Sequence, residues 1–259
     1  MMEGEMTLKG HTALVTGAGR NIGRAIALAF AREGANVVVN ARSNGQEVEA
    51  VVVEAQALGV KAIGALGDIS DPQQVQAVAE QALGAFGTVD ILVNNAAVRP
   101  GRPFTELDYA EWRRVIGIDL DGAFLCTKAF LPGMIAQQWG RIINMAGMMA
   151  YEGHAGYTPV SAAKMGLVGM TRSLAVELAP HGILVNCVSP GTIDTTNPQT
   201  DAMTPQQRAQ ASAQRSARVP LGRLGTQEEI AAVCVFLASP GGAYISGQTI
   251  HVNGAADRR

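Results

Sequence analysis

Near the N-terminus, Thr16-Gly17-Ala18-Gly19-Arg20-Asn21-Ile22-Gly23 joins a short apolar run to the helical stretch RAIALAFAREGA. Glycines in such a turn let backbone N–H groups approach a diphosphate, whose charge then rests on the start of the following helix. The chemistry indicated is dinucleotide binding, because a second apolar run follows the helix. A turn that binds NAD is usually followed, at the end of that second run, by an acid for the ribose 2′-hydroxyl. Here the segment is Asn40-Ala41-Arg42-Ser43, with a cation and no acid. Arg42 and Arg20 can hold a 2′-phosphate through forked, charge-assisted hydrogen bonds; otherwise they are two solvated surface arginines. NADP(H) is therefore expected over NAD(H).

The elements that must position this turn are legible along the whole chain. Seven short apolar runs begin at residues 11, 36, 60, 89, 140, 182 and 248, each rich in Val, Ile and Leu and bounded by Gly, Asn, Asp or Pro. That is how strands buried on both faces of a parallel sheet read. Helical stretches lie between them, including Arg24–Glu33, Gln46–Leu58, Pro72–Phe86 and Glu228–Ala238. The alternation predicts an α/β fold, a doubly wound parallel sheet in one domain spanning 1–259, with ligands at the carboxyl ends of the strands. Residues 192–220 are polar and rich in Gln and Ala, and are expected to form a loop covering the substrate.

Composition excludes several classes. With 259 residues, 47% hydrophobic and a net charge of −2, the chain has a large core and no footprint for nucleic acid. No apolar run reaches the roughly 18 residues of a membrane helix, and MMEGEM lacks the profile of a signal peptide. Cys126, Cys187 and Cys234 cannot all pair with one another and read as small hydrophobes in a reducing, cytoplasmic compartment. His11, His154, His181 and His251 lack metal-ligand spacing, so no metal is expected.

Over essentially its whole length the sequence resembles the short-chain dehydrogenase/reductase family. TGAGRNIG resembles the family's TGxxxGxG turn, with Asn21 at the usual middle Gly; Asn is the non-Gly residue that best tolerates a left-handed backbone. Asp68-Ile69 resembles the adenine-binding pair, Asn94-Asn95-Ala96-Ala97 the NNAG motif, and Ser189-Pro190-Gly191-Thr192-Ile193 with Thr195 the loop that holds the nicotinamide amide. The resemblance and the turn together assign cofactor contacts to Gly17, Gly19, Arg20, Asn21, Ile22, Gly23, Arg42, Ser43, Asp68, Ile69, Asn95, Ala96, Lys164, Pro190, Gly191, Ile193 and Thr195. It also implies a small-molecule substrate and a dimer or tetramer, built from this chain alone or with a homologous family subunit. Phe124–Met134 and Met165–Ala179 are apolar enough to form such contacts.

The catalytic positions depart from the family, whose carbonyl reductases use a Ser, a Tyr and Lys in YxxxK, and an Asn. Lys164 matches the Lys, which places Val160 at the Tyr; GRIINMAG, similar to the family's fifth strand, places Gly147 at the Ser, and VIGIDLDGAF places Asp119 at the Asn. Neither Val nor Gly can transfer a proton. Tyr157, three residues before Val160, is a candidate replacement acid, or it lines the pocket. Thr158-Pro159 reads as an N-cap followed by proline at the first helical position, which leaves Tyr157 in the preceding loop. Asp119 either pairs with Lys164 or is a helix-face carboxylate beside Asp121. His154 is a further candidate acid or base, or a solvated loop residue. Met145, Met148 and Met149 suggest an apolar pocket wall around the Ser position. Three functions follow: an NADP(H)-dependent oxidoreductase with a displaced acid, a non-redox lyase or hydrolase on the same scaffold, or an inactive subunit of a mixed oligomer.

Overall fold

Seven strands run β1 (Thr12–Val15), β2 (Asn36–Ala41), β3 (Ala62–Leu66), β4 (Ile91–Asn94), β5 (Gly140–Met145), β6 (Ile183–Pro190) and β7 (Thr249–Val252). In this computed structural model, which describes residues 8–196 and 202–257, all pair in parallel in the order β3-β2-β1-β4-β5-β6-β7. The MMEGEM segment and residues 197–201 of the polar stretch lie outside the described residues. The order reverses between β1 and β4, so a crevice opens at their carboxyl ends, where the glycine turn and the Asn94-Asn95 run emerge.

The helices are α1 (Asn21–Arg32), α2 (Gly45–Ala57), α3 (Pro72–Phe86), α4 (Tyr109–Ile116), α5 (Gly122–Ala136), the single turn α6 (Met149–Glu152), α7 (Thr158–Leu178), α8 (Pro205–Ser216) and α9 (Gln227–Ala238). One face of the sheet packs on α1, α2 and α9 through residues such as Phe30, Val51 and Ile230. The other packs on α3, α5 and α7 through Val78, Phe130 and Leu178. Central strands β1, β4 and β5 are buried throughout, as their continuous apolar runs require. Edge strands β3 and β7 are partly exposed, because each has a neighbour on one side only.

Helix α3 has the predicted bounds because both ends are encoded locally. Asp71 caps it by accepting from the amides of Gln73 and Gln74, Pro72 stands in the first turn, and Gly87 follows at φ +76°. The polar 192–220 stretch departs from expectation, since it contains α8 rather than loop alone. Thr204 and Gln207 form a capping box with Pro205 in the first turn, yet none of the helix's residues is buried. Without an apolar face there is no 3.6-residue period to read.

All three cysteines are buried and free, and burial pushes the thiols of Cys126 and Cys234 up to about 12 and that of Cys187 up to about 11. They are inert packing groups at neutral pH. Among the described residues no helix is long and apolar enough to cross a membrane.

At the opposite, amino-terminal end of the sheet, His11 stacks on Trp139 with ring centroids 4.0 Å apart, and the Arg141 guanidinium lies 4.3 Å from the Trp139 ring. Asp90 sits 3.9 Å from His11 Nδ1. Burial, opposed by Asp90 and reinforced by Arg141, holds the His11 pKa below 6.5. The folded state thus prefers neutral His11, and its contribution to stability is present above pH 6.5 and lost as pH falls through the lower folded value. Thermal unfolding of H11F, which keeps the ring stack, should show a weaker loss of stability on acidification than the wild type. Equal slopes for the two proteins would refute this.

Candidate active site

The glycine turn is tied down by Thr16 at the end of β1. Its hydroxyl accepts from the amides of Asn95 (2.9 Å) and Ala96 (3.0 Å), while Asn95 Nδ2 donates back to the carbonyls of Thr16 (2.8 Å) and Gly17 (3.2 Å). The backbone is left-handed at Gly17 (φ +63°) and at Asn21 (φ +52°), the conformation expected for Asn in place of the middle Gly. A Cβ on Gly17 would lie 2.9 Å from the Cα of Ala96, and one on Gly23 would collide with the Gly17 carbonyl and Asn95. Asn95 and Ala96 are therefore part of the turn's support, and Ile22 packs half-buried against the core behind it. Thr16 is the clamp that the motif alone did not single out.

The residues fit a dinucleotide diphosphate. Helices α2, α3, α4, α8 and α9 each have a side chain capping their first amides, whereas Arg20 at the start of α1 provides none. Those open N–H groups, with the helix dipole behind them, suit an anion. Arg20, Arg42 and Ser43 are exposed, and among the described residues neither arginine has an ion-pair partner. Asn40 is committed elsewhere: buried, it donates to the carbonyls of Ala65 and Gly67 and ties β2 to β3. The side chain of Glu47 lies across Gly19, its Oε2 3.3 Å from where a Cβ would stand, so an acid adjoins this region after all. It comes from the first turn of α2, outside the segment where an acid is normally sought.

Asp68 Oδ1 accepts from the amide (2.9 Å) and hydroxyl (2.6 Å) of Ser70, fixing the loop after β3. Ile69 is buried against Gly122 of α5, where a Cβ would lie 2.6 Å from its Cδ1. On the other side of the crevice, Pro190 ends β6 and Gly191 passes so close to Asn253 that a Cβ would sit 2.6 Å from its Cα. Ile193 is buried, with its carbonyl accepting from Arg215 of α8 at 2.7 Å; Asp194 binds Gly225 and Gln227 through its backbone. Thr195 lines a cavity of about 170 Å³ between this loop and α8, together with Asp194, Thr196, Arg208 and Arg215.

Lys164 and Asp119 meet. Lys164 is buried on α7, and its Nζ donates to the carbonyl of Met145 at 2.9 Å and lies 3.5 Å from Asp119 Oδ2. Asp119 is turned inward from a π-helical turn, Gly117–Asp121, between α4 and α5, and its Oδ1 accepts from the Val98 amide at 2.7 Å. Burial raises the Asp119 pKa, against the opposing pull of Lys164 and the Val98 amide. Asp121, two residues on, is instead an exposed partner of Arg113 at 3.0 Å. Behind the pair, Asn94 donates to Asn144 (2.8 Å) and Asn144 to Thr171 (2.9 Å), a buried polar row that fixes β4, β5 and α7 together.

Val160 stands one turn before Lys164 on α7 and is 1% exposed. Gly147 has φ +144°, and a Cβ there would meet only the Pro190 carbonyl at 3.9 Å, so the position borders open space. Met148 makes part of the wall, its sulfur 3.1 Å from a Cβ position on Gly191. Helix α7 begins one residue earlier than the expected cap: Tyr157 is the cap residue, because its carbonyl already accepts from the Ser161 amide at 2.9 Å, and Thr158 is the first helical residue. The Tyr157 phenol lies against Gly101, its hydroxyl 3.0 Å from a Cβ position there. His154 is exposed and sits 3.4 Å from Glu152, a surface pair rather than a partner of Lys164.

Comparisons with known proteins agree with this frame. A family model described as "Enoyl-(Acyl carrier protein) reductase" matches residues 17–255. The chain is 41% identical over 243 residues to a 3-oxoacyl-[acyl-carrier-protein] reductase of Staphylococcus aureus, covering 94% of this chain and 96% of that protein. It is equally 41% identical over 249 residues to the (2S)-[(R)-hydroxy(phenyl)methyl]succinyl-CoA dehydrogenase subunit BbsD of Thauera aromatica, covering 96% of this chain and 97% of that protein. A solved structure described as a short-chain alcohol dehydrogenase of Sinorhizobium meliloti superposes with a TM-score of 0.89 at 34% identity, over 98% of both chains. With its sheet order, its glycine turn and these relatives, the chain belongs to the short-chain dehydrogenase/reductase family of oxidoreductases.

Proposed function

We propose that this chain binds NADP(H) and interconverts a small carbonyl and its alcohol, with the Lys164–Asp119 pair as acid–base centre in a site that lacks the family's usual Ser and Tyr. The observation that carries the proposal is the buried ammonium of Lys164, held by Met145 and Asp119 one turn from Val160. When bound, the cofactor supplies or takes the hydride. The open amides of α1 hold its diphosphate, Arg20 and Arg42 its 2′-phosphate, and the 190–195 loop its carboxamide. Glu47 is the charge that opposes the 2′-phosphate, so the preference over NAD(H) rests on two cations against one anion.

Lys164 has a third N–H beyond its two partners, and that proton goes to the substrate oxygen in reduction. Asp119 places an opposite charge 3.5 Å from the Lys164 Nζ, and Tyr157 lines the entrance as a second donor against the 101–102 segment. Helix α8, seated over Thr195 and Thr196, covers the substrate. The relatives' names point to acyl thioesters carrying a 3-oxo or hydroxyl group as first substrates to try. Exposed Phe124, Met165 and Val176 on α5 and α7 fit assembly into a cytoplasmic homo-oligomer.

Fluorescence titration with NADPH and NADH, followed by a thioester screen read at the nicotinamide absorbance band, tests this. Tighter NADPH binding and substrate-dependent oxidation are expected. Turnover of substrate with no net cofactor change would replace it with non-redox chemistry.

A second function has its own support. Val160 and Gly147 leave no group at the two positions where the family transfers and orients a proton, and one relative is named as a subunit. On this view the chain binds nucleotide and pairs with an active homologue. Nucleotide binding without turnover, and co-purification with a family member that carries YxxxK, would select it.

A further inference from the structure

Asn21 occupies the turn on one wall of the crevice, and Thr196 ends the described part of the loop on the other. They are 175 residues apart in sequence and joined by three hydrogen bonds. Asn21 Nδ2 donates to the Thr196 carbonyl at 2.9 Å, while its Oδ1 accepts from the Thr196 amide at 3.0 Å and the Thr196 hydroxyl at 3.2 Å. The carboxamide thus pairs with both the N–H and the C=O of one residue, as a neighbouring strand would. A glycine at this place has no side chain with which to do so.

The consequence depends on the cofactor reading given above. A dinucleotide whose diphosphate rests on α1 and whose nicotinamide rests on the 190–195 loop must run from one wall to the other. The Asn21–Thr196 bridge spans that same gap. We infer that Asn21 is a positioning residue that latches the nicotinamide loop to the phosphate turn, so that the bridge must open each time a dinucleotide enters or leaves. All three bonds are solvent-exposed, so each is worth little and the latch opens readily, slowing exchange without forbidding it.

N21G tests the latch without endangering the turn, because glycine is at ease at φ +52°. In the protein without nucleotide, the Thr196 amide should lose its protection from hydrogen exchange in N21G. Stopped-flow NADPH fluorescence should then show association and dissociation both faster by about tenfold, with the ratio of the two nearly unchanged. Parallel acceleration is the signature of a gate, since loss of an ordinary contact to the ligand speeds dissociation alone. A rise in dissociation without a rise in association would overturn the proposal. So would unchanged rates, or an unchanged Thr196 amide. If the wild type binds neither NADPH nor NADH, the cofactor reading fails and the latch has nothing to gate. Thr196 protection would still report whether the bridge exists.

Discussion

Lys164→Met should cost about 3–5 kcal/mol of stability and remove turnover, because it strands a buried carboxylate. Asp119 is 2% exposed, its nearest cation is Lys164, and its other carboxylate oxygen is satisfied by the Val98 amide alone. Burial already raises the Asp119 pKa with Lys164 in place, and removing the cation leaves that burial unopposed by its strongest counter-effect. The sign of the pH dependence follows. An acid whose folded pKa is raised contributes stability that is present below its unfolded value and lost as pH rises through the folded one. The deficit of K164M should therefore shrink on acidification, as Asp119 takes up a proton. The double variant K164M/D119N should recover most of the stability at neutral pH but none of the turnover. Urea denaturation at two pH values measures both effects, and a loss below about 1 kcal/mol for K164M would show that the pair is solvated.

Val160→Tyr should raise carbonyl reduction by about 10²–10⁴-fold, the usual contribution of a positioned acid. Val160 precedes Lys164 by one helical turn, so a phenol there shares the helix face of an ammonium that can lower its pKa. The site is closed, with Val160 1% exposed, and the larger ring should cost about 1–3 kcal/mol through overpacking. Adding G147S should help less than expected from the hydroxyl alone. The space beside Gly147 is open, but its φ of +144° penalises any side chain by about 1–3 kcal/mol. Steady-state rates with an acyl thioester and NADPH decide the matter. No gain from V160Y, in a protein that still folds and binds nucleotide, would show that proton transfer does not run through this face of α7.

The meeting of Lys164 with Asp119 is not legible in the chain itself. Lys164 and Asp119 are 45 residues apart, and sequence left Asp119 equally able to be a solvated helix-face carboxylate like Asp121. What separates the two aspartates is one π-helical turn, which rotates Asp119 inward and leaves Asp121 with Arg113 at the surface. Such a turn has no composition signal, because it arises from packing between α4, α5 and α7. His154 stands near Tyr157 in sequence but pairs with Glu152, since Gly153 (φ +65°) and Gly156 (φ +82°) turn the chain on either side of it.

By itself the sequence determined the strands, their flanking helices and the glycine turn, because these depend on local quantities. Apolar runs, caps such as Asp71 with Pro72, and a left-handed Asn21 are all set by neighbours a few residues away. Tertiary structure alone decided which distant groups meet: Asp119 with Lys164, Glu47 with Gly19, and Asn21 with Thr196. Those contacts are set by the parallel crossovers that bring the carboxyl ends of all seven strands, and the loops that follow them, to one edge of the sheet. A side chain's partner there is fixed by chain geometry and packing, which no local pattern records.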